Sequence, residues 1–294
     1  MLKVAVIGAN GQLGRYIMRI FQNSSLVEVV PFTRQDLDVA QPKSIQCALS
    51  GQPFEILINT SAAHGRDVET ALEKTFAVNT IGPKYLAEYC DAKSIDLVHI
   101  STDYVFRGDI QRPYTETDCA EPVNAYGISK LAGELMIRST MARYYIVRVS
   151  GLYGLGGCRA KNNTNFVEMM LDKATKEKMI RVVDDQFVTP TYALDVAESL
   201  LQLVQTQKYG VYHMTNAGAC SWYEFIREIF RLARVDVEVQ QIKTSQSGSV
   251  VTRPMYSVLD NCNLRAIGLP DLRPWPEALA AYIAERRAYL NSFL

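Results

Sequence analysis

In the first half of the chain, apolar residues come in short unbroken runs, and the stretches between the runs carry them at helical spacing. Residues 2–7, 26–32, 55–59, 95–101 and 145–149 read as strands apolar on both faces. Residues 11–21, 44–49, 68–89 and 125–141 read as helices, the third of them long and amphipathic. Such alternation predicts an α/β fold, a doubly wound parallel sheet covered by helices on both sides. After Val149 the rhythm breaks. Residues 151–157 form a glycine-rich loop, 165–176 and 192–204 read as helices, and 211–214 as a short strand. Ser221-x-x-Glu224 is a capping box that opens a helix to about Ala233. A strand over 235–242, a polar loop over 246–253, a proline-rich stretch over 270–276 and a last helix from about Glu277 complete the chain. The second half is expected to form a smaller, mixed α/β C-terminal lobe.

Charge removes several function classes. Lys+Arg and Asp+Glu both count 31, so the chain is formally neutral and has no electrostatic reason to seek nucleic acid or an anionic membrane. Hydrophobic residues at 48% and charged residues at 21% fit a folded globular chain. No apolar run reaches the roughly 18 residues that a bilayer span needs. The start lacks the pattern of a secretory signal, so the six cysteines are expected to be reduced thiols of a cytoplasmic protein. On that expectation the sequons at Asn23 and Asn162 carry no meaning. No Cys-x-x-Cys occurs, and His64, His99 and His213 lie far apart without acidic or cysteine clusters, so no metal site is expected.

The candidate chemistry begins at Gly8-Ala-Asn10-Gly11-Gln12-Leu13-Gly14, between the first strand and the first helix. Glycines there let the backbone approach a pyrophosphate, which then rests on the helix N-terminus. Gly8, Asn10, Gly11, Gln12, Leu13 and Gly14 are therefore expected at a dinucleotide, and the sheet to be of Rossmann type. Readers of an unphosphorylated ribose place an acid after the second strand. Here Phe32-Thr33-Arg34 stands instead, with no acid until Asp36. Arg34 can clasp a 2′-phosphate and Thr33 can donate to it, which favours NADPH while leaving NADH possible. Asp38 and Val39 come next and are expected near the adenine. Tyr126 and Lys130 share a helix face at i and i+4, and an ammonium nearby makes the phenol a usable acid. Tyr89 and Lys93 repeat the spacing. Their helix leads into the fourth strand, at the amino edge of the sheet, whereas ligands bind at the carboxyl edge. Tyr126 follows that strand, whose end carries Ser101-Thr102-Asp103-Tyr104. Thr102 can hydrogen-bond the oxygen that Tyr126 protonates.

Taken together, these residues resemble an extended short-chain dehydrogenase/reductase. The stretch 101–106, Tyr114-x-Glu116-x-Asp118, Tyr126-Gly-x-Ser-Lys130 with Gly133-Glu134, Asn165-Phe166, Asp185-Gln186, Pro190-Thr191 and Arg253-Pro254 resemble the dTDP-4-dehydrorhamnose reductase family over nearly the whole chain. The resemblance implies hydride transfer from a nicotinamide to C4 of a nucleotide-linked 4-keto-6-deoxy sugar, completing dTDP-L-rhamnose. It implies Thr102, Tyr126 and Lys130 as the catalytic triad, with Lys130 also on the nicotinamide ribose. Ser61, Ala62, Ala63 and Asn79 fall beside the cofactor. Thr102, Asp103, Tyr104, Tyr126, Gly151, Asn165 and Arg253 fall beside the substrate. The expected division is a dinucleotide-binding domain over 1–150, to whose sheet 181–216 returns, and a substrate-binding lobe from 151–180 and 217–294, as a monomer or homodimer. Two departures stand out. The family has a tryptophan where Gly151 stands, so a wider pocket is expected, and the 63–67 stretch is shorter than the family's. His64 is either a sugar or phosphate contact or an ordinary loop residue. Three other readings compete: a reductase or epimerase of a different nucleotide sugar, a sugar-nucleotide dehydratase and a non-catalytic NADP-binding regulatory subunit. A dehydratase needs an acid–base carboxylate where Tyr104 stands. The methionine adenosyltransferase β-subunit resembles the family and exemplifies a regulatory subunit.

Overall fold

In a computed structural model of the chain, residues 1–156 and 164–292 are described. Gly157, Cys158 and Asn162 of the motifs above lie outside them. Five strands, β1 (Leu2–Ile7), β2 (Val27–Phe32), β3 (Ile56–Asn59), β4 (Asp96–Thr102) and β5 (Tyr144–Val149), join a sixth, Gly210–His213, in one parallel sheet. Read across the sheet, the order is β2, β1, β3, β4, β5 and the sixth strand. The chain switches direction of travel between β1 and β3, which opens a crevice at their carboxyl ends.

Side chains alternate between the two faces of each strand, and both faces of the inner strands are covered, while β2 at the edge is buried only at Val27 and Phe32. Val4 and Val6 of β1 pack with Leu13, Ile17 and Phe21 of α1 (Gln12–Gln22) and with Val196, Leu200 and Leu203 of a later helix. Ala5 and Ile7 pack on the opposite side with Ile45 and Leu49 of α2 (Pro42–Leu49), Leu86 and Cys90 further on, and Ile137. Each fully buried large aliphatic side chain contributes roughly 1.5–3 kcal/mol, which is why strands apolar on both faces settle between helix layers.

The long amphipathic stretch over 68–89 is not one helix. It is a 3₁₀ turn (Arg66–Glu69), α3 (Leu72–Phe76), a π-helical turn (Ala77–Ile81) and α4 (Gly82–Lys93). Next come α5 (Ala125–Thr140), α6 (Phe166–Ala174), α7 (Ala193–Leu203), α8 (Trp222–Ala233), α9 (Cys262–Ala266) and α10 (Trp275–Asn291). The return to the main sheet is narrower than 181–216. Met179–Val183 pairs instead with Glu238–Ile242 in the second lobe, and only α7 and Gly210–His213 come back. The second lobe also holds a cluster of rings, Tyr153 stacked on Tyr192 with Tyr282 and Phe225 against Tyr153. Among the described residues, no helix is long and apolar enough to cross a membrane.

Candidate active site

The glycine-rich turn forms a cradle that side chains would fill. Gly8 has φ +80°, and a Cβ there would meet the Thr60 hydroxyl at 2.5 Å; a Cβ on Gly14 would collide with the Gly8 carbonyl. The N-cap of α1 is Gly11, so no side chain covers the first-turn N–H groups of Gln12 and Leu13, and the turn carries no acid. An anion fits where the α1 dipole and bare N–H groups point. Asn10 contributes its carbonyl to the Arg15 guanidinium at 3.0 Å.

After β2, Arg34 is exposed on a turn. Asp36 is tied back by the Thr33 N–H and hydroxyl, both at 2.7 Å, which hold its carboxyl below the ordinary range. The Thr33 hydroxyl, expected to donate to a phosphate, donates to Asp36 here, while Arg34 extends from the turn exposed. Asp38 accepts from the Ala40 N–H at 3.0 Å, and Val39 is buried, facing Gly82.

Beyond β3, the Ser61 N–H and hydroxyl both donate to Asn59 Oδ1, at 3.0 and 2.6 Å. Asn79, in the π-helical turn, grips the Ala63 main chain from both sides, accepting its N–H at 2.8 Å and donating to its carbonyl at 2.9 Å. Its second amide proton goes to the Ser129 hydroxyl at 3.0 Å. Fully buried, Asn79 positions the Ser61-Ala62-Ala63 loop rather than offering its own amide to a ligand. His64 is half-buried in this loop.

Tyr126 and Lys130 sit in the first turns of α5, over the carboxyl end of β4. Asn124 caps Gly127, and the Glu69 carboxylate accepts from the N–H groups of Ala125 and Tyr126, at 3.0 and 3.2 Å. A Cβ on Gly127 would collide with the Tyr104 carbonyl, so only glycine lets α5 settle this close. Tyr126 is half-buried, and its ring meets Tyr104 edge to face with centroids 5.9 Å apart. Lys130 is buried, its Nζ 2.7 Å from the Ile100 carbonyl and 3.1 Å from His99 Nε2. Burial brings its ammonium down to about 8. Tyr89, by contrast, packs from α4 against the core beneath the sheet.

Thr102 ends β4 and caps the next turn, accepting the Tyr104 N–H at 3.2 Å and donating to Asp103 at 3.1 Å. Asp103, expected at the substrate, is buried and takes a second bond from Ser150 at 2.9 Å. Burial lifts its carboxyl to about 6. It holds Thr102 and reaches no solvent. Asn165, also expected at the substrate, caps α6 instead, and both of its amide protons are taken, by the Gly154 carbonyl and the Tyr282 hydroxyl, each at 2.8 Å. Gly151 has φ +52°, and a Cβ there would press on Pro190 Cα and the Thr189 carbonyl at 3.2 Å, so the backbone turn itself favours glycine at this position. Arg253 stands exposed near Tyr104, whose phenol burial pushes up to about 12 against the pull of that charge.

Four partnerships had no signal in sequence spacing: Glu69 on α5, Ser150 on Asp103, His99 on Lys130, and Glu134 with Arg148. The last is a buried ion pair at 2.7 Å that also takes the Ser101 hydroxyl. In the sequence, Gly133-Glu134 stands out only through the family resemblance.

Residues 2–288 match the RmlD substrate binding domain family. The chain is 38% identical to the spore coat polysaccharide biosynthesis protein SpsK of Bacillus subtilis (strain 168), over 97% of this chain and 98% of that one. A dTDP-4-dehydrorhamnose reductase from Clostridium acetobutylicum superposes with a TM-score of 0.92 at 37% identity, covering 97% of this chain and all of that one. A dTDP-4-dehydrorhamnose reductase from Bacillus anthracis in complex with NADP superposes with a TM-score of 0.90 at 34% identity, with the same coverage.

Proposed function

The chain belongs to the RmlD substrate binding domain family, and from that premise we propose that it is an NADPH-dependent reductase of a dTDP-linked 4-keto-6-deoxy sugar, forming dTDP-L-rhamnose from dTDP-4-dehydrorhamnose. One observation carries the reading: α5 seats Tyr126 against Tyr104 and sets Lys130 on the Ile100 carbonyl, so both side chains stand at the end of β4, beside Thr102. The crevice with the glycine cradle opens at the same edge of the sheet.

The cofactor supplies the hydride. Gly8, Gly11 and Gly14 would leave room for its pyrophosphate, the α1 N–H groups would bind it, and Arg34 would meet the 2′-phosphate. Tyr126 gives its phenolic proton to the carbonyl oxygen as that oxygen gains charge. A Lys130 ammonium favours the phenolate that remains. Thr102 bonds the same oxygen when its proton turns from Asp103. Arg253 is placed to meet the anionic part of the substrate, and the second lobe to hold the nucleotide. The reading places the enzyme in the cytoplasm as a monomer or homodimer; the five described cysteines are all free thiols.

Loss of NADPH absorbance on adding dTDP-4-dehydrorhamnose tests the reading. Rapid oxidation with that sugar, and none without it, is expected. No oxidation with any dTDP-linked keto sugar would leave a binding subunit as the better description.

A further inference from the structure

Asn59 ends β3, and His99 stands opposite it in the β4 register. Their side chains and Lys130 form a buried line: Asn59 Nδ2 is 3.1 Å from His99 Nδ1, and His99 Nε2 is 3.1 Å from Lys130 Nζ. Asn59, His99 and Lys130 are each no more than 1% exposed. Hydrogen-bond direction along this line can be derived from one end. The Ser61 main-chain N–H can only donate, and it lies 3.0 Å from Asn59 Oδ1. That fixes the amide, because the flipped amide would set an NH₂ group against an N–H. Asn59 Nδ2 therefore donates to His99 Nδ1, which must accept. A neutral imidazole then carries its proton on Nε2 and points it at Lys130. Only an uncharged amine has a lone pair to receive it, while one of its own protons serves the Ile100 carbonyl at 2.7 Å. An ammonium has no acceptor to offer and is repelled by the Nε2–H.

We propose that His99 is a proton-linked positioning residue for Lys130: its Nε2–H docks Lys130 as the neutral amine, and uptake of one solvent proton by that amine releases Nζ from the sheet to serve Tyr126 and the cofactor. The covalent change is one N–H bond, formed on Nζ from solvent H⁺. Of the groups around Lys130, Glu134 on its own helix favours the ammonium, though its charge is already shared with Arg148 of β5, and Tyr126 lies one turn earlier. Burial, the larger cause, holds His99 far below its ordinary value whether Lys130 is amine or ammonium, and a charged Lys130 would lower it further; burial brings Lys130 down to about 8, where both forms are accessible. The catalytic meaning rests on the reductase reading above; the bond direction does not.

Long-range ¹H–¹⁵N spectra of the cofactor-free protein test the direction. The protein has three histidines, so the His99 signals are assignable through His99→Gln or, by elimination, through His64→Gln and His213→Gln. A neutral His99 with its proton on Nε2 throughout pH 7–9.5 is expected. A proton on Nδ1, or an imidazolium, would overturn the proposal. NADP⁺ affinity measured by calorimetry tests the release. In the native protein it should be level near pH 7 and weaken toward tenfold per pH unit above about pH 8, with proton uptake visible as a dependence of the heat on the buffer. In His99→Gln, whose amide oxygen can accept from the ammonium, the weakening should move up by about a pH unit. A native affinity level across pH 7–9.5 would overturn the release. Failure to bind NADP⁺ at any pH would overturn the cofactor reading, and the tautomer would still decide the direction.

Discussion

Tyr126 is one of 16 tyrosines, and what separates it from Tyr89 is the edge of the sheet on which each stands. We expect Tyr126→Phe to keep the fold and bind cofactor while losing roughly 10²–10⁴-fold in kcat, the usual contribution of a placed general acid. Tyr89→Phe should turn over normally, and the reverse pattern would contradict the assignment. Arg34→Asp should weaken NADPH binding roughly 10–100-fold, as loss of a charge-assisted bond does, and leave NADH nearly unchanged. Equal losses would mean that Arg34 does not meet the 2′-phosphate. Asp103 gives a pH signature. Its native carboxyl sits near 6 against an ordinary 3.8, held up by burial and drawn down by Ser257, Ser150 and Thr102. The native state therefore binds the proton more tightly than the unfolded chain. That share of stability is complete below the ordinary value and is lost as pH rises through about 6, roughly 3 kcal/mol in all. Urea titrations between pH 3.5 and 7 should show this decline in the native protein and not in Asp103→Asn.

At the scale of elements, α5 shows where sequence reading ends. Its helical spacing, its start at Ala125 and its Tyr126/Lys130 face were all legible, because periodicity is local. Glu69 is not: it lies 56 residues before Ala125, on a 3₁₀ turn that the amphipathic pattern of 68–89 disguises as helix. The π-helical turn (Ala77–Ile81) was hidden too, because a single-turn bulge inside a helical stretch leaves its residue types unchanged and only shifts the register after it. Gly151 is a further case: its φ of +52° gives the glycine a backbone role that spacing does not reveal. We expect Glu69→Ala to cost about 1 kcal/mol, the usual price of a lost helix cap, and to lower kcat by displacing Tyr126. Glu134→Ala should cost more, about 3–5 kcal/mol, because it leaves the buried Arg148 guanidinium without its counter-charge. Denaturant midpoints at pH 7 check both, and a smaller loss for Glu134→Ala than for Glu69→Ala would contradict the ranking.

Across the whole molecule, the two-layer covering of the sheet was readable because the inner strands are largely apolar on both faces; β2, at the edge, is buried only at Val27 and Phe32. The second lobe was less so. Its strands are two to five residues long, paired across large sequence separations, and two residues carry no periodicity. Its contribution to the site follows from how the halves meet. Asn124 donates to the Thr252 carbonyl at 2.9 Å beside Arg253, while within the first half Ser150 donates to Asp103 at 2.9 Å beneath Thr102. On the proposed reading, the carboxyl edge of the sheet brings the hydride and the Tyr126 proton to one carbonyl. Transfer of deuterium from C4-deuterated NADPH to dTDP-4-dehydrorhamnose tests this most directly. Native protein should place one deuterium at C4 of the sugar for each NADPH consumed, and Tyr126→Phe should slow that transfer by roughly 10²–10⁴-fold. NADPH consumption without deuterium in the sugar, or transfer by Tyr126→Phe at the native rate, would contradict it.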